Sequence, residues 1–90
     1  TSHWLGLDVH DAGDYVDSYG KSIKLIDGNI LTIEPGCYIK PSSKIPKEFW
    51  GIGVRIEDDV LIKNNNPVVL TERAPKEISD LELLVGNKND

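Results

Sequence analysis

The chain contains a single cysteine, no methionine, six aromatic residues and no long apolar run. Cys37 has no partner for an internal disulfide, so a disulfide scaffold and a cysteine zinc cluster are both excluded. A membrane-spanning helix needs about 20 consecutive apolar residues, and the apolar stretches here are only a few residues long. We therefore predict a protein that does not span a membrane and works in the reducing cytoplasm.

Positive charge is also scarce, because 10 Lys and Arg residues face 15 Asp and Glu residues and give a net charge of −5. Affinity for nucleic acid comes mainly from Lys and Arg, so no nucleic-acid partner is expected. The chain begins with Thr1 instead of Met and shows no secretory signal, and we expect it to start within a longer gene. A chain of 90 residues can form one small domain at most, with a thin core.

Short β-branched runs predict most of the secondary structure. After an irregular arm and loop over residues 1–27, Ile30–Glu34 predicts a strand that Pro35 and Gly36 interrupt. Asp58-Asp59 predicts a tight turn that joins two strands into a hairpin. The other predicted elements are an exposed loop over 41–50 and short strands over 37–40, 52–57, 60–62 and 68–71.

The last segment changes to a helical period. Pro75 fits the first position of a helix, and Glu77 would lie in the first turn, where the helix dipole favours negative charge. An apolar stripe follows at helical spacing, formed by Ile78, Leu81, Leu84 and Val85. We predict a helix over about 75–85, a stop at Gly86 and a frayed tail to residue 90. The fold class is therefore α+β, with mostly antiparallel strands and hairpins and one C-terminal helix.

Two histidines, His3 and His10, lie among apolar residues seven positions apart. An odd separation places them on opposite faces of a strand, so they meet only if the chain turns between them. A lone histidine in such a setting is more often a hydrogen-bonded structural residue than a ligand. Spacing alone leaves both interpretations open.

Two glutamates are further candidates. Glu34 ends an apolar strand, where a carboxylate is costly unless it is paired, protonated or metal-bound, or unless the strand has already surfaced. Alternation places Glu57 on the same face as Arg55, either as an exposed ion pair or as part of a site. With His3 they suit a divalent ion such as Mn, Co, Zn or Fe, but are too few to hold two ions. Further aspartates could add ligands, although most of them lie in turn-like contexts: Asp8, Asp11, Asp14, Asp17, Asp58 and Asp59.

Three segments resemble consecutive motif blocks of aminopeptidase P, the Xaa-Pro aminopeptidase of the pita-bread metallopeptidase family. They are SHWLGLDVHD at residues 2–11, LTIEPGCYI at 31–39 and GIGVRIEDDVLI at 51–62. Prolidase, creatinase and methionine aminopeptidase belong to the same family. The resemblance implies that residues 1–90 form the C-terminal portion of one catalytic domain with the creatinase-like pita-bread fold.

The resemblance also implies a role for each candidate residue. His3, Glu34 and Glu57 match metal ligands, with Glu34 also handling protons and Glu57 bridging two ions. His10 matches a catalytic histidine that hydrogen-bonds the substrate, and Arg55 matches an arginine that shapes the substrate pocket. The implied reaction is hydrolysis of the bond between an N-terminal residue and a following proline. The implied cofactors are two divalent ions, usually Mn²⁺, although Co²⁺ or Zn²⁺ fits the same ligands.

The sequence departs from the family pattern because two aspartate ligands, expected before the first histidine block, are not in this chain. We therefore expect a fragment that is inactive alone and that self-associates as a homo-oligomer through exposed strand edges. Prolidase is an alternative identity within the same fold. Non-catalytic pita-bread binding modules and a free-standing small protein with vestigial motifs are alternatives from other classes.

Overall fold

The computed structural model describes residues 1–86, which form two small antiparallel sheets and one helix. The strands are β1 (Ile30–Ile33), β2 (Gly36–Tyr38), β3 (Gly53–Arg55), β4 (Asp58–Lys63) and β5 (Asn66–Val69). A 3₁₀ turn covers Lys47–Phe49, and the helix α1 covers Ile78–Leu84. The predicted mixture of antiparallel strands with one helix is confirmed.

The larger sheet has the strand order β1-β4-β5, and the N-terminal arm extends it on the far side of β1. The arm is held there because the Thr32 N–H donates to the His3 carbonyl at 2.9 Å and the Leu5 N–H donates to the Ile30 carbonyl at 3.0 Å. The most buried side chains lie on the two central strands, Thr32 at 1% exposure and Val60 at 4%. The interior is therefore confined to the line where β1 meets β4.

The smaller sheet is a ribbon of β2 and β3, in which Gly36 pairs with Arg55. Both of its strands connect directly to strands of the larger sheet, since β1 leads into β2 and β3 leads into β4. The Ile56 N–H donates to the Pro35 carbonyl at 3.2 Å across this junction. Glu34 and Glu57 lie in the two connections, so the junction brings them together.

The predicted turn at Asp58-Asp59 is wrong, because these residues are the first two of β4 and pair with Ile33 and Thr32 of β1. Asp58 is accommodated in a strand because its carboxylate accepts a hydrogen bond from the Thr71 hydroxyl at 2.7 Å. The hairpin joins β4 to β5 instead. Asn64 and Asn65 form its turn with φ of 52° and 59°, the left-handed conformation that tight hairpins require.

The helix is shorter than the predicted 75–85, because Glu77 is still extended, with φ of −68° and ψ of 144°. The Lys76 ammonium donates to the carbonyls of Thr71 at 3.2 Å and Ala74 at 2.7 Å, which holds this segment in a non-helical turn. Gly86 follows the helix with φ of 76°, as expected of a stop. The predicted frayed tail at 87–90 lies outside the described residues. Within residues 1–86, no helix has the length and apolar character needed to cross a membrane.

Candidate metal centre

Three potential ligands converge at the junction of the two sheets. His3 lies on the N-terminal arm, Glu34 directly follows β1 and Glu57 directly precedes β4. One ligand atom of each lies within 4.8 Å of the other two, and His3 Nε2 is 3.2 Å from Glu34 Oε2. The side chains of His3 and Glu34 are both 16% exposed. The strand has therefore not fully reached the surface at Glu34.

The strand register explains why these side chains meet. Thr32 pairs with Asp59 across β1 and β4, and side chains two residues apart on a strand share a face. Glu34 and Glu57 lie one such step beyond that pair. The His3 main chain pairs with Thr32 from the opposite side, which brings the imidazole to the same face.

Glu34 lies in a polar and positively charged environment. Arg55 Nη1 donates to the Glu34 carbonyl at 2.7 Å and lies 3.4 Å from Oε1 of its carboxylate. A hydrogen bond from the Thr32 side chain lowers the pKa of Glu34 most, and the charges of His3 and Arg55 lower it further against an opposing effect of desolvation. The carboxylate is thereby kept in the ionised form that binds metal.

His10 lies beside His3, with ring centroids 4.3 Å apart. The intervening chain reverses direction, because the Asp11 N–H donates to the Trp4 carbonyl at 3.1 Å and the Gly6 N–H donates to the Asp8 carbonyl at 3.2 Å. Because of this reversal, the two histidines lie side by side, which their spacing in the sequence could not show. His10 is exposed beside the cluster.

The orientation of the His3 ring suits a ligand. Its Nδ1 lies 2.9 Å from the Trp4 carbonyl oxygen. A carbonyl can only accept a hydrogen bond, so Nδ1 carries a proton, and Nε2 is the ring nitrogen that faces the glutamates. Metal-ligating histidines are commonly fixed by this type of contact through the second ring nitrogen.

Arg55 contacts Glu34, whereas sequence alternation had suggested a partnership with Glu57. Its guanidinium also donates from Nε to the Tyr38 hydroxyl at 2.9 Å and lies over the Tyr38 ring. Gly53 makes room for that ring, since a Cβ there would lie 2.7 Å from Tyr38 Cδ1. Tyr38 and Thr32 were not among the sequence candidates. The sequence could have indicated them only by their positions, since Tyr38 lies four residues after Glu34 and Thr32 lies two residues before it.

The donor set fits a divalent transition ion, because one imidazole nitrogen and two carboxylates are ligands that such ions share. Among residues 1–86, His3, Glu34 and Glu57 form the group of three such donors whose ligand atoms lie close enough together to bind one ion. Asp59 lies on the same face, and its buried Oδ1 has no hydrogen-bond partner within those residues. The N-terminal aspartates Asp8, Asp11, Asp14 and Asp17 are not part of the group. Three ligands remain too few to hold two ions.

An α+β chain with a histidine and two glutamates at a sheet junction defines part of a metalloprotein with nitrogen and oxygen ligands. The model of metallopeptidase family M24 matches residues 1–64, and the chain belongs to this family. The recognition of the family from the three sequence motifs is confirmed.

Individual relatives support the same assignment. An Xaa-Pro aminopeptidase of Haemophilus influenzae is 45% identical over 84 residues, which are 93% of this chain and 19% of the relative. The structure of the aminopeptidase PepP of Pseudomonas aeruginosa aligns with a TM-score of 0.82 and 46% identity, covering 92% of this chain and 19% of that one.

Two structures of Escherichia coli aminopeptidase P, one with the inhibitor Pro-Leu and one zinc-substituted with product, also match. Each aligns with a TM-score of 0.78 and 46% identity over 92% of this chain and 18% of theirs. The chain therefore shares the pita-bread fold of aminopeptidase P, and it spans about a fifth of the length of these relatives.

Proposed function

We propose that this chain supplies part of the active site of a metal-dependent aminopeptidase that releases an N-terminal residue from a following proline. The observation that carries the proposal is the convergence of His3, Glu34 and Glu57 within 4.8 Å. The likeness to Xaa-Pro aminopeptidases over more than nine-tenths of the chain supports the substrate class. Peptides with proline at the second position are thus the proposed partners.

The proposed cofactors are two divalent ions, with Mn²⁺ favoured and Co²⁺ or Zn²⁺ compatible with the same donors. His3, Glu34 and Glu57 would hold them, and further ligands would have to come from outside this chain. When bound, such ions act as Lewis acids on the scissile carbonyl and make water nucleophilic at neutral pH. Zinc substitution in the E. coli relative supports a site that accepts more than one metal.

The chain's own residues would divide the remaining work. Glu34, ionised at neutral pH, would accept the proton from the attacking water and return it to the leaving proline nitrogen. His10 is exposed and free to hydrogen-bond the substrate next to the ligand His3. Arg55 would keep the Glu34 carboxylate oriented and form one wall of the pocket with Tyr38. These roles are proposals that the geometry supports.

We also propose that residues 1–90 act as the C-terminal portion of one catalytic domain and are inactive alone, because the three ligands cannot hold two ions. A reducing compartment such as the cytoplasm suits a chain with one unpaired cysteine. Sustained hydrolysis of a Gly-Pro-containing tripeptide by the chain with Mn²⁺ would contradict the first proposal. Recovery of the native protein in an oxidising compartment would contradict the second.

Calorimetric titration of Mn²⁺ into the chain and two histidine variants tests the ligand assignment. We expect His3→Ala to weaken binding by at least 10-fold, because it removes one of three donors. His10→Ala is the matched control, since its ring lies beside His3 but is not part of the donor group. Equal loss in both variants, or none in either, would refute the assignment.

A further inference from the structure

His10 lies in a loop, residues 5–14, that is exposed over most of its length. The loop begins beside β1, because Trp4 forms a bridge with Leu31 of that strand. It returns to the same place, because Tyr15 lies against Trp4. The position of His10 therefore depends on the contacts that close the loop between these two aromatic residues.

Three contacts of Trp4 close the loop. Its ring stacks on the Tyr15 ring, with centroids 5.6 Å apart and an interplanar angle of 16°. Its Nε1–H donates to the Asp14 carbonyl at 3.2 Å, and its main-chain N–H donates to the Tyr15 hydroxyl at 3.3 Å. The bond to the hydroxyl is long for a hydrogen bond, so the stacked rings contribute more to the closure. We call the stacked pair of Trp4 and Tyr15 the aromatic clasp.

Gly13 makes room for the aromatic clasp. A Cβ at this position would lie 2.6 Å from Trp4 Cδ1 and 2.8 Å from Trp4 Nε1. Gly13 also has a φ of 150°, which residues with a side chain rarely adopt. The far end of the loop can approach the indole this closely because position 13 is a glycine.

The Trp4 carbonyl connects the aromatic clasp to both histidines. This oxygen accepts a hydrogen bond from the Asp11 N–H at 3.1 Å and lies 2.9 Å from His3 Nδ1. One atom therefore holds the His3 ring and the residue that follows His10. With both held, the two imidazole centroids are 4.3 Å apart. A substrate-binding group that is already in place loses less conformational freedom when the substrate binds.

From this geometry we infer that Tyr15 is a positioning residue, whose ring closes the loop on Trp4 and holds His10 beside His3. The inference rests on the proposed role of His10 in hydrogen-bonding the substrate. Tyr15 is not part of the donor group, and its side chain is 53% exposed. Its ring therefore serves the loop and not the interior of the sheet.

Tyr15→Ala tests the inference in the metal-free chain. The rings of His3 and His10 are close enough for a nuclear Overhauser effect between their ring protons. We expect this effect to weaken in Tyr15→Ala and amide hydrogen exchange at Asp11 to become about 2- to 12-fold faster, the factor that corresponds to the strength of one aromatic pair. Tyr15→Phe keeps the ring and should retain both values of the original chain.

Tyr19→Ala is the matched control, because it makes the same change in the turn that follows, where Tyr19 is 88% exposed. We expect it to leave both measurements unchanged. Unchanged values in Tyr15→Ala, the same changes in Tyr19→Ala, or a Tyr15→Phe variant that behaves like Tyr15→Ala would overturn the inference.

Gly13→Ala tests the same contact from the opposite side, since the added Cβ would displace the Trp4 ring. It should reproduce the changes of Tyr15→Ala, and unchanged values would overturn the inference even if Tyr15→Ala does not fold. If the original chain binds no Mn²⁺, the proposed metal site fails. The measurements on Tyr15 and Gly13 are made without metal, so they still decide whether the aromatic clasp positions His10.

Discussion

The two carboxylate oxygens of Glu34 contact different residues. Oε2 faces His3 Nε2 at 3.2 Å, and Oε1 faces Arg55 at 3.4 Å. A bound ion would replace the contact to His3, whereas the contact to Arg55 can persist and hold the carboxylate in place. This division would leave Oε2 available to an ion in the proposed site while Oε1 stays beside Arg55, which is itself held by the Tyr38 hydroxyl.

A second residue-level feature is the turn between β4 and β5, where Asn65 has a φ of 59°. Its N–H donates to the Asp27 carboxylate at 2.9 Å, a bond that any residue except proline can make. We expect Asn65→Gly to be neutral or slightly stabilising and Asn65→Val to lower the free energy of unfolding by about 1–2 kcal/mol, because a β-branched residue fits the left-handed region poorly.

Urea unfolding followed by circular dichroism measures both changes. Asn29→Val would not be a clean control, since the Asn29 Oδ1 accepts a hydrogen bond from the Ile26 N–H. The comparison of glycine, asparagine and valine at position 65 is therefore internal. A valine variant as stable as the glycine variant would show that the turn does not have this conformation in solution.

At the level of elements, β4 is the strand that holds the larger sheet together, because it pairs with both β1 and β5. It also follows Glu57 directly. The strands β1, β4 and β5 were predictable from their β-branched residues, and the candidate site residues were indicated by the three motifs. The start of β4 was not predictable, because two consecutive aspartates normally favour a turn. Only the tertiary contacts of Asp58 with Thr71 and Lys76, distant in sequence, make a strand acceptable there.

The pairing of the strands could not be predicted from the sequence either. The alternation over residues 52–57 indicated one continuous strand, but β3 ends at Arg55 and the chain changes sheets before β4. The site forms at that change of sheet. Likewise, spacing could not show that the chain reverses between His3 and His10, since the reversal depends on main-chain bonds such as that of Asp11 to Trp4.

Asp58 connects β4 to the segment before the helix, and this connection should be sensitive to acid. Hydrogen bonds from Thr71 and then Lys76 lower the pKa of Asp58 from its ordinary 3.8, with the charge of Lys76 acting in the same direction against desolvation. The folded state therefore binds this proton less readily than the unfolded state. The resulting stability is present above about pH 4 and is lost as the pH falls through the lowered pKa.

We expect Asp58→Asn to lower the thermal unfolding midpoint at pH 7 and to flatten its decline between about pH 5 and pH 3. Thermal unfolding across this pH range measures both effects. Asp8→Asn serves as a control at an exposed position. A variant curve parallel to that of the original chain would show that Asp58 does not contribute to acid lability.

At the level of the whole molecule, the chain exposes much more surface than a compact protein of its mass. Its accessible surface is 7780 Å², about 2,500 Å² more than the surface typical of a compact 10 kDa protein. Its radius of gyration is 17.7 Å, against about 12 Å for a compact chain of this length. The difference in area is comparable to that of an obligate protein interface.

Large apolar side chains occupy much of this surface, including Ile78, Leu83 and Val85 at 75%, 72% and 74% exposure. We expect the isolated chain to self-associate, because these side chains and the free edge of β5 remain uncovered within residues 1–86. Sedimentation velocity should show a mass that rises with concentration. The double variant Leu83→Lys and Val85→Lys should shift the chain toward monomer.

Leu7→Lys is the control for that experiment, since Leu7 is fully exposed in the N-terminal loop, away from the helix. Replacement of Leu7 adds a similar charge and should leave association largely unchanged. A monomer at every concentration, or an equal response to both changes, would contradict the predicted role of the helix.

The location of the first bound ion tests the metal centre most directly. Paramagnetic Mn²⁺, added in substoichiometric amounts to the ¹⁵N-labelled chain, broadens the amide signals of residues close to the site. We predict that the amide signals of residues 2–4, 33, 34 and 56–58 broaden first, because these residues surround the three converging donors. Earlier broadening around Asp17 in the acidic loop, or uniform broadening along the chain, would contradict a metal centre formed by His3, Glu34 and Glu57.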